Sequence, residues 1–126
     1  MEQRPPADLG EYVQLTATRF GIQRDWARFL EDHPLILGPV FAEPPIEPSL
    51  ESRGLKENAR VQIAMRLCSA TSLVGVPAVA VPTGVAGGLS QGVQVIGGPY
   101  REDLCLDATA AIKERLSTNT PTDPRS

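Results

Sequence analysis

The stretch Leu73-Val74-Gly75-Val76-Pro77-Ala78-Val79-Ala80-Val81-Pro82-Thr83-Gly84, followed by Gly88-Leu89-Ser90-Gln91-Gly92-Val93-Gln94-Val95-Ile96-Gly97-Gly98-Pro99, decides how this chain is read. Ala78 to Val81 and Val93 to Ile96 are short, mostly apolar and rich in β-branched residues, as strands of a well-covered sheet are. Between them Gly84, Gly87 and Gly88 predict a turn, because glycine alone enters left-handed backbone without a steric penalty. Gly97-Gly98-Pro99 ends the second strand.

Helical periodicity begins on both sides of this pair. Downstream, Leu104, Ala108, Ala111, Ile112 and Leu116 fall at i, i+4, i+7, i+8 and i+12, which predicts a helix from about Arg101 to Leu116. Glu102 and Asp103 open it and Lys113 and Arg115 close it, the charge order that suits the exposed N–H and C=O groups at its ends. Upstream, a helix is expected from Asn58 to about Thr71. Val61, Ala64, Met65, Cys68 and Thr71 or Ser72 share one face, and Ile63 and Leu67 widen it. So broad an apolar surface belongs inside a larger structure.

Further upstream, Glu11 to Leu30 reads as helical, in two pieces broken near Gly21, with Ile22, Trp26, Phe29 and Leu30 on one face. Pro34 ends it. Leu35-Ile36-Leu37 suits a buried strand limited by Pro39, and four prolines between Pro39 and Pro48 make an extended loop. Glu51 to Asn58 reads as charged and solvated. Residues 1–10 and 117–126 are expected to be flexible ends around a structured segment at 11–116. The order is helix, strand, helix, strand, strand, helix: an α/β fold of two to three strands with helices packed on them, strand order and direction being unreadable.

The chain has 126 residues, of which 41% are hydrophobic, and a formal net charge of −3. That charge offers no electrostatic reason for a nucleic-acid partner. No stretch approaches the roughly 20 apolar residues of a membrane span. The first residues lack the apolar core of a signal peptide. Two cysteines, Cys68 and Cys105, have no metal-like spacing and predict neither a disulfide framework nor a metal site, so the expected setting is the cytoplasm.

The motifs, taken in order, resemble the C-terminal end of the amidase-signature enzymes, a family that includes bacterial amidases, fatty acid amide hydrolases and the A subunit of the glutamyl-tRNA amidotransferase. The residues that carry the resemblance are Ser72-Leu73-Val74-Gly75-Val76-Pro77-Ala78, Pro82-Thr83-Gly84, Gly88-Leu89-Ser90-Gln91-Gly92-Val93-Gln94 and Glu102-Asp103-Leu104. Trp26 to Val40 resembles the helix and strand that precede this pattern in bacterial amidases. Ser72 stands where the family has asparagine, and Ser90 where it has proline. The resemblance implies the C-terminal portion of the amidase-signature fold, with a mixed sheet, and a parent reaction that hydrolyses a carboxamide to an acid and ammonia without a cofactor. It further implies a serine nucleophile and a second, cis-peptide serine that relays its proton to a lysine.

No glycine–serine run of that kind occurs in this sequence. Lys56 lies in a charged segment and Lys113 at a solvated helix end, so neither is placed to act as a neutral base. No catalytic residue is assigned here. Gly88-Leu89-Ser90-Gln91-Gly92 fits the G-x-S-x-G pattern of a nucleophile elbow, but an elbow needs a helix after it and a histidine later in the chain. Here a strand follows, and the lone His33 precedes Ser90, so Ser90 is expected to be a turn residue. His33, beside Asp32 and Pro34, reads as a helix-end residue, and Cys68 and Cys105 read as packing residues. The resemblance places the turn after Leu37 near the substrate cleft, which marks Pro39, Val40 and Phe41 as candidate lining of an acyl pocket. The expectation is a chain inactive alone that joins the missing N-terminal amidase portion, or its own copies, and meets a small amide substrate only in the complete enzyme. The alternatives are a non-enzymatic binding or scaffold module on the same fold, or a serine hydrolase using Ser90.

Overall fold

The computed structural model describes Pro6 and residues 8–116; most of the expected flexible N-terminus and all of the tail at 117–126 lie outside the described residues. Four helices pack around a three-stranded sheet: α1 Leu9–Asp32, β1 Leu35–Pro39, α2 Leu55–Ala64, α3 Arg66–Val74, β2 Ala78–Ala86, β3 Leu89–Gly97 and α4 Glu102–Arg115, with a short 3-10 turn at Leu50–Ser52. The α/β class stands, and the sheet has the order β1-β3-β2 with both pairings antiparallel. Pro39 and Pro82 therefore sit on the two edge strands, where a missing N–H interrupts no central ladder.

Helix α1 begins where Asp8 caps it by accepting the Glu11 N–H at 2.8 Å. It then runs without a break through Gly21, contrary to the expected two pieces. A glycine within a helix costs only about 0.5–1 kcal/mol relative to alanine. Here the packed turn that follows, with Leu30 buried and Ile22 and Trp26 half-buried, carries the helix across it. Phe29, expected on the same apolar face, is exposed and stacks on His33 with ring centroids 4.6 Å apart.

The expected helix at 58–71 is instead two, α2 and α3, and the solvated stretch at 51–58 already contains the start of α2 at Leu55. The junction is Met65, at φ −87° and ψ −1°. The cause is long-range: the Ala64 carbonyl accepts the Ala42 N–H at 3.0 Å, a partner from the proline loop. Val61, Ala64, Thr71 and Val74 are buried and Cys68 is half-buried, whereas Ile63 and Met65, expected on the apolar face, are exposed.

The C-terminus of α3 is closed from two sides. Gly75, at φ +76°, donates its N–H to Thr71 O at 2.8 Å, and α1 supplies donors for two orphan carbonyls, Arg19 Nε to Leu73 O and Gln23 Nε2 to Val74 O, each at 2.7 Å. A Cβ at Gly75 would meet nothing closer than 3.6 Å. Gly75→Ala should therefore cost only the left-handed penalty, about 1–2 kcal/mol, seen as a lower urea midpoint with an unchanged slope.

Both strands of the hairpin are longer than the apolar runs that announced them. Strand β2 continues through Pro82-Thr83-Gly84, with a register irregularity between Pro82 and Gly84 that lets proline and glycine remain in the strand. The turn is Gly87-Gly88 alone, at φ +59° and +78°, a two-residue connection of the kind that matches strand twist. Gly84 and Ser90, expected in the turn, are in the strands.

The two faces of the sheet are covered differently. Val79, Val81, Val93 and Val95 share the α4 face by register. Gly97 lies on it too, and an added Cβ there would stand 2.7 Å from Cys105 Sγ. The other face carries Ile36, Gly38, Ala78, Ala80, Gln94 and Ile96, and an added Cβ at Gly38 would meet Leu67 Cδ2 of α3. Ile96 is fully buried, yet Ala78 and Ala80 are exposed, so this face is only half covered. Leu37, expected in a buried strand, is 63% exposed on the outer edge strand.

Cys105, read from sequence as a packing residue, is fully buried beneath α4, with Sγ 3.9 Å from Pro77 O. Burial, reinforced by the carboxylates of Glu102 and Asp103, raises its thiol pKa. A raised folded-state value means that the folded protein holds its proton above the unfolded thiol's pKa of about 8.5. Stability from this source is complete below that pH and declines as pH rises beyond it. A plot of stability against pH should fall more steeply between pH 8.5 and 10 in the unaltered chain than in Cys105→Ala. Thiol titration of the native chain should label Cys68 first.

Candidate functional site

The turn Pro39-Val40-Phe41 is held at both ends. Before it, Gln94 Nε2 of β3 donates to Pro39 O at 2.9 Å; after it, Ala42 donates to Ala64 O. Val40 and Phe41 line a cavity of about 330 Å³ with Glu43, Pro45, Ile46 and the strand segment Ser90-Gln91-Gly92. Its walls are apolar where Val40, Phe41, Pro45 and Ile46 meet. Glu43 is paired with Arg60, Nη2 to Oε2 2.6 Å and Nε to Oε2 2.8 Å, and the pair raises the pKa of Arg60.

Pro39 is not on this wall. It borders a neighbouring depression with Ala42, Ala64 and Leu67. Val40 also borders a third, of about 410 Å³, between α3 and the half-covered sheet face, with Cys68, Thr71 and Gln94. A larger one, about 530 Å³, is elsewhere, where Gln23, the Val74–Pro77 segment and Tyr100 meet.

Ser90 reaches the Phe41 cavity from within a strand, paired with Val85. No helix follows it, and strand β3 continues to Gly97. His33 lies just before Leu35, which pairs with Gly97 at the far end of β3. Seven residues of strand separate that end from Ser90, roughly 20 Å, so the two side chains are not brought together. Lys56 is exposed in the first turn of α2 and Lys113 in the last turn of α4. Among the described residues no three of His, Cys, Asp and Glu gather as a metal site, and no helix is long and apolar enough to cross a membrane.

Two residues at the site were not singled out from sequence. Gln94, quoted from sequence only as the last position of the resemblance motif at 88–94 and with no site role, is 4% exposed; its other signal was a lone polar residue in the apolar run Val93-Gln94-Val95-Ile96. Glu43 gave no signal, because a carboxylate in a proline loop reads as solvated.

In comparison with known proteins, residues 6–106 match the family model described as Amidase. The chain is 40% identical over 111 residues to an indoleacetamide hydrolase of Bradyrhizobium japonicum, covering 86% of this chain and 23% of that protein. It is 39% identical over 109 residues to the indoleacetamide hydrolase of Bradyrhizobium diazoefficiens, covering 86% and 21%. With the A subunit of the glutamyl-tRNA(Gln) amidotransferase of Halobacterium salinarum it shares 26% over 103 residues, covering 82% and 24%. The chain thus spans less than a quarter of the length of these relatives.

Proposed function

The chain belongs to the amidase family, and from that premise we propose that it forms the C-terminal, pocket-bearing portion of an amide hydrolase whose nucleophile and base are carried by protein outside these residues. The carrying observation is the 40% identity to an indoleacetamide hydrolase over most of this chain and less than a quarter of that protein. The parent reaction is attack of a serine on a carboxamide carbonyl, release of ammonia and hydrolysis of the acyl intermediate, with no cofactor. The apolar cavity at Val40, Phe41 and Ile46 suits the acyl side of an arylacetamide, Phe41 offering a ring to stack on.

Exposed apolar residues support association with a larger body. Leu9, Tyr12, Val13, Leu15 and Phe20 stand exposed on the first half of α1, and Leu55 is 82% exposed. Leu9, Tyr12, Val13 and Phe20 fall on one side by helical spacing, apolar surface of the kind that marks an interaction site, and both β1 and β2 are open edges. Free Cys68 and Cys105 fit a reducing, cytoplasmic setting.

The test is complementation. The chain is co-expressed with the part of the Bradyrhizobium japonicum indoleacetamide hydrolase that the match leaves uncovered, and ammonia release from indole-3-acetamide is measured. Turnover is expected from the pair and from neither part alone, with Ser90→Ala as active as the unaltered chain. Phe20→Ser should keep the melting temperature of the chain within about 2 °C and weaken the pairing. Hydrolysis by the chain alone that disappears with Ser90→Ala would establish the serine-hydrolase alternative. A stable chain that never associates would point to a scaffold module.

A further inference from the structure

Among the described residues only Thr71 and Gln94 are buried and polar, and Gln94 alone of the two lies in the sheet. Its backbone neighbours across the sheet are Gly38 of β1 and Ala80 of β2. Both are small, which leaves room on that face for the longer glutamine side chain. The side chain turns along the face toward β1 and gives an Nε2 hydrogen to Pro39 O, 55 positions earlier in sequence. Pro39 is the last residue of β1 and pairs with Val93 in the backbone register, so the side chain adds a second tie at the end of the ladder.

The segment that this rung secures is short. Three residues later the Ala42 N–H is bound to Ala64 O, leaving Val40 and Phe41 as the only unanchored backbone between two fixed points. Both face the 330 Å³ cavity. Without the Gln94 bond Pro39 keeps its strand pairing with Val93 but loses the side-chain tie on its carbonyl, which loosens the entry to the two pocket residues.

We infer that Gln94 is a positioning residue: its side-chain amide holds the Pro39 carbonyl and so sets where Val40 and Phe41 stand at the pocket wall. The role in substrate selection rests on reading that cavity as the acyl pocket. Gln94→Met keeps the bulk and removes the donor; the Pro39 carbonyl, in a part-buried bond, then relaxes or turns to water.

The first measurement is hydrogen exchange by NMR on the chain itself. In the unaltered chain one Gln94 side-chain amide proton should exchange at least 10-fold more slowly than those of exposed Gln91. In Gln94→Met the Ala42 amide, bound to Ala64 O, should exchange about 10-fold faster while the Val95 and Ile96 amides keep their protection. Rapid exchange of both Gln94 amide protons in the unaltered chain overturns the assignment even if the variant fails to fold, as does an unchanged Ala42 amide in a folded variant. The second measurement uses the complemented enzyme. Gln94→Met should raise KM for indole-3-acetamide about 10-fold with kcat within twofold, and leave acetamide, which lacks the aryl group, within twofold in kcat/KM. Equal losses for both amides, or none for either, refute the pocket role. A pair of parts that hydrolyses nothing counts against the proposed function, while the exchange data still decide whether Gln94 holds the turn.

Discussion

Gly97→Ala should destabilise the chain by about 1–3 kcal/mol, the usual cost of forcing an extra methyl into a packed interior. A Cβ built there stands 2.7 Å from Cys105 Sγ and 3.2 Å from the Arg101 carbonyl. Neither neighbour can easily give way. Cys105 is fully buried, and Arg101 O is backbone at the start of α4, already accepting the Cys105 N–H at 3.3 Å. Gly97 also donates its own N–H to Pro77 O at 3.0 Å, which ties the end of β3 to the segment entering β2. The methyl must therefore push α4 off the sheet. Cys105→Ala removes the sulfur and should restore part of the loss. A double-mutant cycle by urea denaturation should show a coupling of at least about 1 kcal/mol of favourable sign. An additive pair would mean that the glycine is required for its backbone alone.

Ile96→Ala should cost more, about 2–5 kcal/mol. Ile96 has no solvent exposure and sits in the central strand between Ile36 and Ala78. The cavity left behind cannot collapse readily, because β3 is held by ladders on both sides. The described core is small: eight apolar residues, among them Leu30, Val74, Val81 and Val95, are buried. A chain of this length carries about 6–19 kcal/mol of stability in total at typical per-residue values, so this one change removes a large share. Thermal denaturation by circular dichroism should show a drop of many degrees. Ile63→Ala, at a residue 61% exposed, should leave the midpoint within about 2 °C. A similar fall for both would mean that Ile63 is covered in solution, as it would be if copies of the chain associate.

The pattern of burial ties these stability predictions to the proposed function. The same chain that hides Ile96, Val81 and Cys105 completely leaves Leu9, Phe20, Leu37 and Leu55 mostly exposed. The first set is satisfied by contacts within the chain. The second requires either water or another surface, which under the proposed function is the remainder of an amidase. Substitutions in the two sets should therefore separate: interior changes lower the melting temperature, and exposed apolar changes lower complementation alone.

Periodicity and turn chemistry were sufficient for α4 and for a strand, turn and strand around Gly87-Gly88; the family resemblance rested on the ordered motifs instead. Leu104, Ala108 and Ile112 repeat at helical spacing, and Gly87-Gly88 separates two β-rich runs; both signals are local, so they are written in neighbouring residues. The Pro39-Val40-Phe41 turn was located only through the resemblance, and the structure puts two of its three residues on the Ser90 cavity. What the sequence could not show depends on contacts between distant residues. The break at Met65 follows from Ala42 bonding to Ala64 O, and the exposure of Leu37 from β1 lying at the edge of the sheet. Ser90 belongs to a strand because Val85 pairs with it, which five residues of motif do not reveal. Gln94 reads locally as a polar interruption of a strand; only the return of the chain to Pro39 gives its amide a carbonyl to hold. Local backbone preference was thus determined by the sequence itself. Which apolar residues are covered, and which polar side chain bonds the Pro39 carbonyl, were decided by tertiary structure, because burial and long-range hydrogen bonds exist only once the strands are ordered.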